Sequence, residues 1–216
     1  MTTITCRCGA VELEFEASHD LFRTQCCCHD CSAALWYAEK RGGPAAPPYQ
    51  LVDSSWFPND FRITRGEDQI GAFKNFEQGD TTRFYCKNCW TILFGDHPVY
   101  EKKVLVTAAR NYREYDGLKG ATLMPPQARH FMKDLSAESA EVLPPWNGDN
   151  AHTYAGVADN LMARFPEMQA AGNEGGEMNA QILLARIGKP FVPTNEPRLG
   201  NGPPTLMQQN AESDDR

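Results

Sequence analysis

Residues 24–31 read Thr-Gln-Cys-Cys-Cys-His-Asp-Cys, so four of the chain's eight cysteines and a histidine fall between Cys26 and Cys31. Thiols this close repel one another once ionised. They cannot all pair locally as disulfides, which need separated Cα atoms and converging Cβ vectors. A soft metal ion resolves the conflict. The other four cysteines form two short-spaced pairs, Cys6-x-Cys8 near the N-terminus and Cys86-x-x-Cys89 far downstream. If these pairs converge they make a tetrahedral four-sulfur set, the ligand choice of a structural zinc with closed coordination. Cys26-x-Cys28-x-x-Cys31 instead offers three sulfurs on one tight turn without an obvious fourth, the arithmetic of a zinc with an open position. Two zinc ions per chain are therefore expected. A disulfide framework is the competing reading. It requires secretion, and Met1-Thr2-Thr3-Ile4 has neither the basic nor the apolar stretch of a signal peptide.

The elements that must position these residues read mostly as strands. In residues 4–16, Val11, Leu13 and Phe15 alternate with Glu12, Glu14 and Glu16, an amphipathic strand after a Cys-x-Cys-Gly turn in which Gly9 supplies backbone freedom. Leu21 to Gln25 delivers the chain into the cysteine run, and residues 32–37 suit a short helix that shields one side of the metal. Arg41 to Pro48 is rich in breakers and is expected to be an exposed, mobile loop. Further strands are expected at 49–53, 56–63, 69–76, 81–85, 90–94, 103–108 and 127–131, with a hairpin-type turn at Thr64 to Glu67 and a zinc knuckle at Cys86 to Cys89. The fold class is mainly β with few short helices. The sheet material ends near Trp146, dividing the chain into a zinc-binding domain over residues 1–150 and an extension over 151–216. From Phe165 onward glycine and proline accumulate, and no core is expected from that stretch. Its one exception is a short amphipathic helix at Gln181 to Ile187 that docks on the body or on another subunit, a route to a homo-oligomer; the rest reads as extended or disordered.

Composition narrows the partners. A net charge of −7 gives no basic field for nucleic acid. No apolar run approaches the roughly 18 residues of a membrane span, and no lipidation signal is visible. A soluble, cytoplasmic protein is expected. Arg62, Arg65, Arg83, Lys87, Arg110 and Arg113 flank the cysteine segments and could form a local positive pocket, although solvated surface charge is the plainer reading.

Taken together, Cys6-x-Cys8-Gly9, Cys26-x-Cys28-x-x-Cys31, Phe84-x-Cys86-x-x-Cys89, His130-Phe131 and Trp146 resemble the pattern of the glutathione-dependent formaldehyde-activating enzyme family, also called the GFA or CENP-V domain family, over roughly residues 4–148. The resemblance implies an Mss4-like fold of small antiparallel sheets around zinc, a structural site at Cys6, Cys8, Cys86 and Cys89, and a catalytic one at Cys26, Cys28 and Cys31. It also implies carbon–sulfur lyase chemistry on a small-molecule thiol adduct, with glutathione or another thiol as cosubstrate. The chain departs from the family pattern where Cys27 replaces the usual histidine, where Trp90 replaces the glycine after the last cysteine, and in a longer loop at residues 40–48.

Three thiolates give zinc a net charge of about −1, which suits exchange of one sulfur ligand for another better than activation of water. Proton transfer to a carbonyl oxygen needs a neighbouring acid, and His29, Asp30, His97 and His130 are the candidates. Cys27 is a fourth ligand, a redox-active thiol, or a small buried side chain facing away, as strand alternation favours. Two further readings stand beside the lyase: a zinc-stabilised binding module, and an enzyme for a larger substrate in a pocket walled by Trp36, Tyr37, Trp56 and Phe57.

Overall fold

The alternation at residues 11–15 is built as expected: Val11, Leu13 and Phe15 are buried while Glu12 and Glu14 are half-exposed. A computed structural model describes residues 1–146, 156–157, 159–171 and 177–193. In it β1 (Thr2–Thr5) and β2 (Glu12–Phe15) pair antiparallel around the Cys6-x-Cys8 turn. Strand β3 (Phe22–Cys26) runs into α1 (His29–Lys40), followed by β4 (Val52–Pro58), β5 (Arg62–Arg65), β6 (Ile70–Phe73), β7 (Thr82–Cys86), β8 (Ile92–Asp96) and β9 (Val104–Thr107). Short strands β10 (Leu118–Lys119) and β11 (Ala128–His130) precede three helices: α2 (Ala137–Val142), α3 (Asp159–Ala171) and α4 (Ala180–Ile187).

Among the described residues two sheets result, ordered β10-β1-β2-β5 and β11-β3-β4-β9-β8-β7-β6. The fold is mainly β with few short helices, in an Mss4-like arrangement. Between the sheets lies an aromatic-rich core in which Ile4, Leu13 and Phe15 of the small sheet meet Phe57, Phe84, Phe94 and Leu105 of the large one. Each fully buried side chain of this size contributes about 1.5–3 kcal/mol. The opposite face of the large sheet packs on α1 through Leu35, Tyr37 and Ala38. Because the two faces of one strand carry alternate residues, β7 sends Phe84 and Cys86 into the inter-sheet core and Tyr85 to the α1 side.

Several boundaries differ from expectation. The strands expected at 49–53 and 56–63 are one strand, β4, and the separate β5. The turn at Thr64 to Glu67 joins no hairpin: β5 pairs with β2 and β6 with β7, so this segment passes the chain from one sheet to the other. Gly66 makes the passage with φ 74°, where an added Cβ would lie 2.0 Å from the Ala10 carbonyl oxygen. The loop after α1 is tied down along its length. Arg7 donates to the carbonyls of Gly42 and Gly43, Arg113 to that of Ala46, and Trp36 Nε1 to that of Pro47 at 3.1 Å, while Pro44 and Ala46 are buried.

The expectation that no core comes from residues beyond 165 is corrected. Leu161, Phe165 and Met168 recur on one face of α3 and bury against Phe22, Trp56, Tyr100 and Val104. Met178, Ala180 and Leu183 join the inter-sheet core. Helix α4 docks on its own chain's body, where the Ala180 amide donates to Asn59 Oδ1 at 2.8 Å. Beyond it, Phe191 exchanges backbone hydrogen bonds of 3.1 and 3.0 Å with Ala72 and Lys74, covering the edge that β6 leaves open. The expected disorder of residues 194–216 lies outside the described residues. Among those described, no helix is long and apolar enough to cross a membrane.

Candidate metal centres

The first centre joins two turns from opposite ends of the domain. The β1–β2 turn supplies Cys6 and Cys8; the end of β7 and the turn after it supply Cys86 and Cys89, and the four sulfurs lie within 4.8 Å of one another. A zinc tetrahedron with metal–sulfur bonds of about 2.3 Å has edges of about 3.8 Å, and the Cys6–Cys8 and Cys8–Cys86 sulfur separations are 3.5 and 3.9 Å. The sulfurs also accept from the protein: Cys6 from the Val11 amide at 3.2 Å, Cys8 from Asn88 Nδ2 at 3.6 Å. Cys89 lies 3.2 Å from the Thr91 hydroxyl. Hydrogen bonds from Cys6 and Cys86 hold the Cys89 thiol far below its ordinary range. Against the lowering contact with Cys86, the Cys89 contact and burial push Cys6 up to about 11. Four sulfurs crowded this closely cannot all ionise without a counter-charge, and a dication is what supplies it. Trp90, where the family pattern has glycine, adopts φ 52°, a left-handed conformation that glycine reaches without steric cost. Its ring stacks on Tyr85 with centroids 4.5 Å apart and meets Tyr37 edge-on, contacts that hold it there.

The second centre is assembled at a strand–helix joint. Cys26 ends β3, Cys28 is the N-cap of α1 and Cys31 lies in its first turn; their sulfurs fall within 4.8 Å of one another. The Cys28 sulfur accepts from the Cys31 amide at 3.3 Å, the place a serine or aspartate oxygen takes at an ordinary helix start. The helix N-terminus favours negative charge here. Cys31 is the thiol held down, by hydrogen bonds from Cys26 and Cys28 and, against the opposing effect of burial, by the Arg83 guanidinium, while Cys26 is pushed up by its contacts with Cys28 and Cys31 and by burial. Three sulfurs converging at this distance fit a soft dication, with no fourth cysteine in the set. Cys27 is fully buried and stands outside the set. Burial pushes its thiol up to about 11, and its amide donates to the His130 carbonyl at 2.9 Å.

The four acid candidates separate. His130, paired in register with Cys26 across β3 and β11, is buried at 4% exposure with Nδ1 lacking a hydrogen-bond partner. Burial lowers its pKa to about 4, so the ring is neutral at pH 7. Asp30 is consumed by an ion pair with Arg83 and by Asn75. His97 caps the turn Pro98–Tyr100, its Nδ1 accepting from the Val99 amide at 3.1 Å. His29, half-buried, meets the Trp36 ring edge-on. On the same face of β3 as Cys26, the Thr24 hydroxyl is buried without a partner, as is that of Ser32 beside Cys31.

Of the six basic residues flagged in the sequence, Arg83 alone reaches the second centre, and it is buried. Arg62 and Arg65 pair with Glu14 and Glu12, Lys87 donates to the Asp68 carbonyl, and Arg110 and Arg113 face Asp53 and Glu39. Asn75 was not anticipated, and no sequence signal marks it. The roomier aromatic pocket is corrected as well. Phe57 lies between the sheets and Trp56 under α3, leaving Trp36 as the half-buried aromatic against the second centre's helix turn.

A protein-family model described as glutathione-dependent formaldehyde-activating enzyme matches residues 1–134. No curated protein matches the chain. Among solved structures, a Rhodobacter sphaeroides protein is similar at 20% identity, over 51% of this chain and 87% of that one, with a TM-score of 0.32.

Proposed function

The chain belongs to the glutathione-dependent formaldehyde-activating enzyme family, and from that premise we propose that it is a zinc-dependent carbon–sulfur lyase making or breaking the adduct of a thiol, glutathione or one like it, with an aldehyde or related electrophile. The observation that carries the reading is the contrast in ligand number: four converging sulfurs at one centre, three at the other beside a buried imidazole with an unpartnered nitrogen. When bound by Cys26, Cys28 and Cys31, zinc supplies a fourth position at which a thiol is held ionised at neutral pH.

The chain's own residues do the rest. In adduct formation one carbon–sulfur bond forms, the carbonyl π bond breaks, and the oxygen takes up the proton that the thiol gave up; cleavage is the reverse. His130 is neutral at pH 7, so it acts by donating a hydrogen bond to that oxygen from Nδ1 rather than as a cationic acid. Thr24 offers a second donor on the same sheet face. Trp36, fixed by its bond to the Pro47 carbonyl, packs edge-on against His29 in the first turn of α1. We assign the catalytic domain to residues 1–150, with residues 151–216 as a C-terminal extension.

The test pairs mutation with spectroscopy. Cys28→Ser is expected to abolish turnover of glutathione–aldehyde adducts while the fold survives, and zinc-edge X-ray absorption of the wild type is expected to show a rise in sulfur ligands when glutathione is added. An active Cys28→Ser protein, or a second zinc that already has four sulfurs and ignores thiols, would sink the reading.

A further inference from the structure

The three sulfurs of the second centre come from two bodies. Cys26 belongs to the large sheet, Cys28 and Cys31 to the end of a helix, and a single residue, Cys27, links them along the chain. Keeping three sulfurs convergent requires that the helix end be fixed relative to the sheet by something else.

Asp30, between the two helical cysteines, meets that requirement. Arg83 reaches it from β7, pairing with its carboxylate and donating from Nη2 to its backbone carbonyl at 3.2 Å. Asn75, two residues past β6, donates from Nδ2 to the same carbonyl at 2.8 Å and to Oδ1 at 2.7 Å. β7 and β6 lie at the far end of the sheet from β3, so the helix turn is gripped from the side opposite Cys26. Stability alone does not account for this arrangement, because a buried ion pair is commonly no better for folding than apolar residues of the same volume. Its return is in position. The strand carrying Arg83 is itself anchored three residues on, where Cys86 enters the first centre on the opposite face of the sheet.

We propose that Arg83 and Asn75 are positioning residues for the three-sulfur centre: through Asp30 they hold the first turn of α1 so that Cys28 and Cys31 converge with Cys26 on one metal ion. This rests on the reading of that centre as a metal site, and not on the lyase reaction.

The test uses the full chain loaded with zinc, scored by elemental analysis, by the rate of zinc release to a colorimetric chelator, and by thermal unfolding. Wild type is expected to hold two zincs that release at different rates. Arg83→Gln is expected to release the faster-exchanging zinc about 10–100-fold sooner, the range for residues that orient metal ligands, with the slower zinc unchanged. Asn75→Ala is expected to move the same way by less. Adding Asp30→Asn to Arg83→Gln restores an uncharged hydrogen-bonded pair and is expected to recover part of the retention, a rescue that generalised destabilisation does not produce. If Arg83→Gln does not fold, Asn75→Ala decides. Unchanged release in Asn75→Ala and in any folded Arg83 variant overturns the proposal, as does equal acceleration of both zincs. A wild-type chain that binds one zinc overturns the metal reading itself, which separates the two failures.

Discussion

The two cysteine centres are built from the same ligand and differ in how the ligands are brought together. At Cys6, Cys8, Cys86 and Cys89 two tight turns meet head to head, each rigid in its own backbone. The sulfurs of Cys6 and Cys8 accept hydrogen bonds from Val11 and Asn88, and the Arg7 amide donates to the Thr91 hydroxyl beside Cys89, tying one turn to the other. At Cys26, Cys28 and Cys31 one short segment supplies all three sulfurs, and the remaining constraint comes from remote side chains on Asp30. Convergence of two turns closes a coordination sphere and ties distant parts of the sequence. A single turn leaves a side unliganded, and in the same sheet region His130, in register with Cys26, and Thr24, on the same face of β3, carry buried polar atoms without a hydrogen-bond partner. Closure serves the fold; openness is available to chemistry.

The strongest test of that difference is to remove one sulfur from each centre. Structural zinc contributes an apparent binding energy of about 10–16 kcal/mol to small zinc domains, comparable to the whole stability of most proteins, about 5–15 kcal/mol. Cys89→Ser is therefore expected to leave the chain largely unfolded at 25 °C, and chelator treatment of the wild type to approach the same state. Cys28→Ser keeps a capping side chain at the start of α1 and is expected to change folding stability by no more than about 1 kcal/mol. Circular dichroism with thermal melts reads both. Equal losses would erase the distinction between a centre for folding and a centre for reaction.

A smaller effect distinguishes two of the candidate histidines, one in β11 and one in the turn after β8. His130→Ala removes the buried imidazole proposed as donor to the oxygen, and turnover is expected to fall about 100-fold with two zincs per chain retained. His97→Ala removes a turn cap whose nitrogen already has a partner, so about 1 kcal/mol of stability is expected to go and turnover to stay. Steady-state kinetics on adducts, alongside metal content, checks both. If His97 proves the more costly for turnover, the oxygen subsite lies on the other side of the centre.

What could be read in the sequence was whatever depends on spacing. The cysteine clusters, the alternation of Val11, Leu13 and Phe15, and the strand ending in His130 all follow from local periodicity, and each reappears in three dimensions. Burial of charge cannot be read that way. Arg83 looked like its five basic neighbours until β7 placed it inward against Asp30, and Asn75 carries no pattern at all. Helix α3 was legible and went unread. Leu161, Phe165 and Met168 recur at helical spacing, but the glycines and prolines that follow, and Pro166 within the helix itself, weighted the composition towards disorder. The tied-down loop at 41–48 was hidden for the same reason: breakers announce an irregular backbone and say nothing about whether side chains such as Arg7 and Arg113 will hold it.

Acid separates the two centres from the rest of the fold, and Asp20 gives the sign by which to see it. Protons compete with zinc for the thiolates, so stability due to bound zinc is present at neutral pH and lost as pH falls. Asp20 behaves in the opposite way. Its side chain is fully buried, and desolvation raises its pKa above the ordinary carboxylate value despite the hydrogen bond that Oδ1 accepts from the Met124 amide at 2.9 Å. A carboxyl whose folded pKa is raised costs stability at pH 7. That cost is relieved as pH falls through the folded pKa and is gone below the unfolded value. Asp20→Asn keeps the acceptor for Met124 and removes the charge, so it is expected to stabilise the chain at pH 7 by at most about 1 kcal/mol, with the advantage shrinking towards pH 4. Urea denaturation of zinc-loaded protein at both pH values measures it. An advantage that grows on acidification would mean that Asp20 is coupled to metal retention, and the acid response could then no longer be assigned to the cysteine centres alone.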